Sequence, residues 1–183
     1  MSANLKLIEP AQINAEAALR VTAERPEDAD AATALADRAF GPGRYAKVSE
    51  RVREGAVLRP ALSFCAFGAG ELVGTVRLWS VQVGGAPGLF LGPIAVEAAW
   101  RKHHIGGQLV QACCAAATAA GEPFILLVGD MSFFGPYGFA PVPAGQVILP
   151  GPVDPRRILW RALREHGFEG AGGAVCSLTP SDG

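Results

Sequence analysis

Arg101-Lys-His-His-Ile-Gly-Gly107 joins an apolar stretch, Leu89 to Val96, to an alanine-rich run that ends at Gly121. Residues of these types at such a junction can hold an anion. The first N–H groups of a helix have no partner inside it, and the aligned peptide dipoles place roughly half a positive charge at that end. Phosphate groups settle there. Arg101 and Lys102 add charge, while Gly106 and Gly107 strip away side-chain bulk and let a phosphate approach the backbone. The junction therefore reads as the site of a phosphorylated cofactor. A plainer reading is that the two cations solvate a turn and the glycines allow tight helix packing. Metal chemistry fits less well. His103 and His104 occupy neighbouring helix-start positions that diverge, and no nearby carboxylate spacing completes a ligand set.

Leu89 to Val96 has no alternating polar face, the pattern of a strand buried on both sides in a parallel sheet. Ile105, Leu109, Ala112 and Ala116 recur at helical spacing, and Gly121 with Pro123 ends the helix that starts near His104. Phe124-Ile-Leu-Leu-Val128 is a second apolar run of strand length. Strand, helix and strand in this order make a right-handed βαβ unit. Gly92-Pro93 in mid-strand predicts a bulge, since proline has no N–H to give the ladder; the alternative is an edge kink.

Upstream, Leu19 to Ala23 reads as a strand, and Arg25-Pro26-Glu27-Asp28 as the entry of a helix reaching about Phe40. Gly41-Pro42-Gly43 breaks it, and Tyr45 to Glu54 has the charge spacing of a second, solvent-facing helix. Leu62 to Phe67 and Leu72 to Val83 flank Gly68-Ala-Gly-Glu71 as a hairpin. Arg157 to Leu163 alternates like a strand, yet its composition also suits a helix.

Leu91 to Val110 resembles motif A of the GNAT superfamily of acetyl-CoA-dependent N-acetyltransferases, whose pattern is Gln or Arg, two residues, Gly, one residue, then Gly or Ala. Arg101, Ile105 and Gly106 fit it, whereas His104 stands at the first glycine. Val128-Gly-Asp-Met-Ser-Phe-Phe-Gly-Pro-Tyr-Gly-Phe139 is similar to the strand, short helix and terminal Gly-Phe that follow motif A in a bacterial branch of predicted acetyltransferases. The resemblance extends more loosely from Leu19 to about Leu163.

The resemblance implies an α/β (α+β) fold: one GNAT-like domain with a central mixed, mostly antiparallel sheet, a splayed parallel strand pair and flanking helices. Residues 19–165 would form this domain, residues 1–18 an N-terminal extension and residues 166–183 a flexible glycine-rich tail. It makes Arg157 to Leu163 the last strand. It also implies acetyl-CoA as co-substrate. The backbone of Ile94, Ala95 and Val96 would pair with the pantetheine arm, Arg101, Lys102, His103, His104, Ile105, Gly106 and Gly107 would cradle the pyrophosphate, and Phe133 would join the cofactor contacts.

The implied reaction is direct attack by a neutral primary amine in a ternary complex, through a tetrahedral oxyanion held by backbone N–H groups near Ile94 and Ala95. Many family members place a tyrosine general acid four residues before the final Gly-Phe. Here that position is Phe134, which cannot donate a proton. Tyr137 is the nearest replacement if 133–137 is helical, its hydroxyl then projecting from the same face as Phe134. The other reading makes Tyr137 a core aromatic with its hydroxyl at the surface, and Ser132 is a weaker donor. Glu97, Asp130 and a water are all open as the base. General acid catalysis contributes roughly a hundred- to ten-thousand-fold, and a thiol of pKa about 8.5 already leaves fairly well. Loss of the acid slows such a reaction without abolishing it. A noncatalytic acyl-CoA-binding or regulatory module is the alternative.

Sixteen basic and seventeen acidic residues leave a formal charge of −1, and half of the chain is hydrophobic. A near-neutral chain lacks the long-range attraction to nucleic acid or anionic membranes. Leu78 to Val96 is uncharged, but its glycines and prolines break any spanning helix. With no basic, apolar leader at the N-terminus, the expected location is cytoplasmic. The four cysteines form no CxxC pair and read as small core residues. A Rossmann site lacks its three glycines, and a P-loop its Gly-Lys-Ser or Gly-Lys-Thr. The expected partner is a small-molecule or peptide amine, in a pocket lined by the Phe40 to Tyr45 loop and the last strands, where Arg44 either meets an anionic group or is a solvated loop charge. Edge-strand pairing would give a homodimer.

Overall fold

The computed structural model describes residues 19–177. The expected N-terminal extension, 1–18, and the end of the expected tail, 178–183, lie outside the described residues.

The chain opens with β1 (Arg20–Ala23), a single 3-10 turn at Pro26–Asp28, and α1 (Ala29–Phe40). Pro26 presets the turn, and Gly41, at φ 67°, lets the chain leave α1. A 3-10 turn at Pro42–Ala46 leads into α2 (Val48–Arg53). This helix is shorter than the charge spacing predicts and does not simply face solvent, because Val48 and Val52 are buried.

Next come β2 (Val57–Leu58), β3 (Phe64–Gly68), β4 (Glu71–Val83) and β5 (Ala86–Val96). The β3–β4 hairpin turns on Ala69 and Gly70, both at positive φ, and the β4–β5 hairpin on Gly84 and Gly85. α3 (Ile105–Ala119) and β6 (Phe124–Val128) follow, and then the short α4 (Met131–Phe134). The remaining strands are β7 (Ala140–Pro141), β8 (Val147–Ile148), β9 (Ile158–Ala162) and β10 (Gly173–Ser177). The ambiguous segment after Arg157 is thus a strand.

The main order across the sheet is β1-β3-β4-β5-β6-β9-β7, with β2 and β10 also paired to β4. Neighbours in that order are antiparallel except β5 and β6, which are parallel. Off this path β8 pairs β10 in parallel. The mixed, mostly antiparallel sheet with a central parallel pair is the architecture that the motifs imply.

Both faces of the central strands are buried, and the period-two alternation of strands assigns each side chain to a face. Leu89, Leu91, Ile125, Leu127 and Leu159 pack under α3 in one core, with Ile105, Leu109, Val110 and Cys113. Phe90, Leu126 and Trp160 point to the other core with Val48 and Val52. On α3 the buried residues include Cys113, Cys114 and Ala117, while Ala112 and Ala116 are half-buried, so the core face is displaced by one position from the expected one.

The glycine-rich C-terminal segment differs from expectation as far as residue 177. Gly173–Ser177 is a strand whose Val175 to Ser177 pair with Val83 to Val81 of β4, and Phe168 stacks on Trp160 at 3.9 Å between centroids. Glycine is required across from this strand, at Gly84 of the β4–β5 hairpin, where a β-carbon would stand 1.6 Å from the Gly172 carbonyl oxygen. Gly170 and Gly173 hold positive φ.

Candidate active site

β5 and β6 are paired only at Leu89 with Ile125 and Phe90 with Leu126. Beyond Phe90 the two strands part. The β4 register locates the cause: Leu78 faces Leu91 and Val76 faces Ile94, so Gly92 and Pro93 together oppose the single residue Arg77. This is the expected bulge. The Trp79 indole N–H donates to the Gly92 carbonyl oxygen at 2.7 Å and satisfies it there.

The opened strands lead into a cavity of about 860 Å³ lined by Leu91 to Val96 of β5, by 128–130 beyond β6, and by Arg101, His104, Gly106 and Gly107 at the start of α3. Phe133, Phe134 and Tyr137 close one side. Phe40, Arg44, α2 and residues 151–154 with Arg157 form another.

At the α3 start, the first helical bond between flanking backbone groups runs from Gln108 N–H to the His104 carbonyl at 3.2 Å. The amides of Ile105, Gly106 and Gly107 precede it, the arrangement that receives anions. His104 is at φ 54°, ψ 24°, the left-handed conformation. A glycine enters that region freely, which accounts for glycine at this position in the family pattern; histidine is among the few other residue types found there.

The two glycines do more than admit a ligand. A β-carbon on Gly106 would lie 3.3 Å from Phe133 Cζ, and one on Gly107 would lie 2.0 Å from Tyr137 Oη. Both aromatic rings are seated on the helix start through missing side chains. The Tyr137 ring lies 5.7 Å from that of Phe133 between centroids. The segment expected to be helical over 133–137 is helical only to Phe134, and Gly135–Tyr137 is a 3-10 turn. Phe134 is buried edge-on against Phe139 at 5.6 Å.

Ile94, Ala95, Val96, Arg101, His104, Gly106, Gly107, Phe133 and Tyr137 thus come together around one space. Three expected residues do not line it. Ile105 is fully buried in the core, so only its amide belongs to the helix start; Lys102 is exposed; and His103 lies against Trp100 at 5.2 Å between rings. Of the carboxylates considered as base, Glu97 is outside the lining and tied to Arg38 at 2.6 Å, whereas Asp130 is in the lining and pairs with Arg157 at 3.2 Å. Arg44 is no solvated loop charge: it is buried and ion-paired with Asp37 at 2.7 Å.

Sequence reasoning missed Lys47, Arg51 and Arg53 on the cavity wall, and the loop carrying Asp154. The alternating Arg51-Val52-Arg53 was the available signal, since buried Val52 aims its neighbours elsewhere. Arg53 is itself buried with Glu50 as its ion-pair partner, and burial lowers its guanidinium pKa from the ordinary value.

Residues 29–132 match the Acetyltransferase (GNAT) family model. This chain belongs to the GNAT family. Among solved structures similar to this GNAT chain is a GNAT family N-acetyltransferase from Escherichia coli in complex with CoA. It is 23% identical and has a TM-score of 0.73, with 88% of this chain and 90% of that chain covered. A GNAT family acetyltransferase from Brucella melitensis in complex with acetyl-CoA is 26% identical over 77% of this chain and 94% of its own, with a TM-score of 0.53. Arabidopsis thaliana Naa50, bound to a bisubstrate analogue, is 14% identical over 79% of this chain and 98% of its own, also at 0.53. No curated protein matches the sequence. Among the described residues, no helix of this GNAT chain is long and apolar enough to cross a membrane.

Proposed function

We propose that the chain transfers the acetyl group of acetyl-CoA to a primary amine by direct attack in a ternary complex. One observation carries this reading: β5 and β6 separate after two paired positions into a cavity that ends on the free amides of α3. Acetyl-CoA supplies the activated thioester. The amide groups of 105–107 and the Arg101 guanidinium suit the pyrophosphate, and the unpaired edge of Ile94, Ala95 and Val96 suits the pantetheine arm, whose amides need backbone partners. Phe133, exposed at the same mouth, adds apolar contact.

In the reaction, the amine nitrogen forms a bond to the acetyl carbon as the carbon–sulfur bond breaks. The neutral amine nitrogen loses one proton and keeps the other as the amide N–H, and the departing sulfur receives one proton, so that CoA leaves as the thiol. The Ile94 amide, on the edge of β5 turned from β4, suits the developing negative oxygen. Tyr137 is the proton donor we assign, because its hydroxyl stands at the α3 start on the cavity wall. The acceptor enters on the side of Phe40, Arg44 and α2. A reducing, cytoplasmic setting fits the free thiols of Cys65, Cys113, Cys114 and Cys176.

Titration calorimetry with acetyl-CoA, followed by CoA release with a panel of amines, tests the assignment. Binding with amine-dependent CoA release is expected. If neither the wild type nor His104→Gly binds acetyl-CoA, the proposal fails. A noncatalytic CoA-binding module is favoured by one feature, the buried Phe134 at the family's acid position; binding without turnover of any amine would select it.

A further inference from the structure

Charge is unevenly spread over this chain. Among the described residues, Arg44, Lys47, Arg51, Arg53, Arg101 and Arg157 line the cavity, against Asp130 and Asp154 as the only carboxylates; the whole chain has sixteen Lys and Arg and seventeen Asp and Glu. Since the formal charge of the whole chain is −1, the cations are concentrated at the site rather than spread by composition.

Several of them are already neutralised. Arg44 pairs with Asp37, Arg53 with Glu50 and Arg157 with Asp130. Arg101 is at the α3 start. On the α2 wall, Lys47 and Arg51 meet no carboxylate among the described residues. Lys47 Nζ lies 5.2 Å from the Phe40 ring centroid, and Arg51 Nη1 donates to the Pro150 carbonyl at 3.4 Å. A β-carbon on Gly151 would stand 3.3 Å from Arg51 Nη1, so the guanidinium lies against the loop that forms the same wall.

We infer that the acceptor is a small amine that also carries a carboxylate, which Arg51 and Lys47 bind. The inference rests on the acetyltransferase reading above and names its substrate class. A guanidinium has five donors in a planar fork that matches a carboxylate, and one carbonyl engages only part of it. The same field opposes polycations: a polyamine or a lysine-rich peptide would bring like charge into a partly enclosed cavity. It also favours the neutral form of an incoming ammonium, because nearby positive charge lowers an amine pKa. The wall thereby selects the acceptor and helps supply the nucleophilic form.

Matched pairs test this in the intact protein: phenylalanine against phenethylamine, tryptophan against tryptamine and arginine against agmatine, with spermidine as a polycation. CoA release gives kcat/KM, and calorimetry with CoA present gives amine affinity. The carboxylate-bearing member of at least one pair is expected to exceed its partner by about tenfold or more, the size of a charged hydrogen bond. Arg51→Gln is expected to shrink that ratio about as much, chiefly through KM, and Arg51→Lys to restore part of it; Lys47→Gln is the independent second variant. Equal or better use of the decarboxylated amines or spermidine overturns the inference and leaves the transferase intact. Where no amine turns over, equal affinity within every pair overturns it equally. An acetyl-CoA affinity weakened about tenfold by Arg51→Gln would assign these cations to the cofactor phosphates and overturn it too. Failure of both the wild type and His104→Gly to bind acetyl-CoA removes the parent reading, and this one with it.

Discussion

The Tyr137 hydroxyl rests on Gly107, so close that a β-carbon at residue 107 would stand 2.0 Å from Oη and 2.9 Å from Cζ. The helix start and the aromatic turn are therefore one unit. Alanine for glycine inside a helix normally gains about 1 kcal/mol, but here the phenol ring would have to move. Gly107→Ala is expected to give no gain in Tm and to lower turnover. Tyr137→Phe separates packing from proton donation, since it keeps the ring. A general acid contributes roughly a hundred- to ten-thousand-fold, the loss expected of Tyr137→Phe under the proposed role. Removing the hydroxyl should lower kcat while leaving acetyl-CoA affinity in place. Wild-type kcat in Tyr137→Phe would end its role as donor.

His104 holds the left-handed conformation at φ 54° immediately before α3. That region costs a residue with a β-carbon about 1–2 kcal/mol, and glycine returns about 0.4–1 kcal/mol of the gain through the greater freedom of its unfolded chain. His104→Gly is therefore expected to stabilise the fold by up to about 1 kcal/mol, a rise in Tm of roughly 2–4 °C for a domain of this size. Thermal unfolding measures it. Acetyl-CoA affinity in the same variant shows what the imidazole does on the cavity lining: a tighter complex means that it obstructs, a weaker one that it donates to the ligand. A lowered Tm would mean that the side chain contributes more through contacts than its backbone loses.

Much of this arrangement was legible in the residues. Phe90 and Leu126 sit in apolar runs whose length and lack of alternation specify a central parallel pair, and Gly92-Pro93 announces the bulge that parts it. The side-chain phase was harder to read. Tyr137 packs against Phe133 and its hydroxyl rests on Gly107 of α3, a contact between separate segments that no periodicity reports. Arg51 and Lys47 read as a solvated face because their spacing along α2 says nothing about the distant loop at Gly151. The strand at Gly173–Ser177 hides in a glycine-rich stretch, in which Gly170 and Gly173 hold positive φ. Local pattern carried the scaffold, whereas contacts between distant segments decided the lining.

Asp28 should govern part of the acid stability. Its carboxylate accepts from the Arg25 backbone N–H at 3.0 Å, from Nε at 2.9 Å and from Nη2 at 2.9 Å. The Arg25 side-chain hydrogen bonds hold its pKa below the usual carboxylate range. A carboxyl with a depressed folded-state pKa binds fewer protons folded than unfolded. Its stabilisation is thus complete above the unfolded value of about 4 and is lost as pH falls through the lower folded value. Wild type should exceed Asp28→Asn in Tm at pH 7, with the difference shrinking below about pH 4. A difference that does not change down to pH 2 would mean that Asp28 acts through its shape alone.

Arg77 fills the position opposite the bulge and ties the sheet to α1. It donates to Glu24 through Nε at 2.9 Å and Nη2 at 2.7 Å, to Thr33 Oγ1 at 2.9 Å and to the Ala29 carbonyl at 2.8 Å. Both ion-pair side chains are buried, at 10% and 2% exposure, so neither charge can return to water while the fold is intact. Removing one partner strands the other. Arg77→Met should destabilise by about 3–5 kcal/mol, which at about 2–4 °C per kcal/mol lowers Tm by roughly 6–20 °C. Replacing both, as Glu24→Leu with Arg77→Met, should recover most of the loss, because a desolvated pair gains little over apolar residues of similar volume. The recovered protein then separates stability from function. α1 carries Ala39 and Phe40 to the acceptor side of the cavity, and the bulge beneath Arg77 parts β5 from β6. If the pair also sets the angle of α1, the double variant will fold yet show a raised KM for the amine with unchanged acetyl-CoA affinity. If it serves stability alone, both constants will match the wild type.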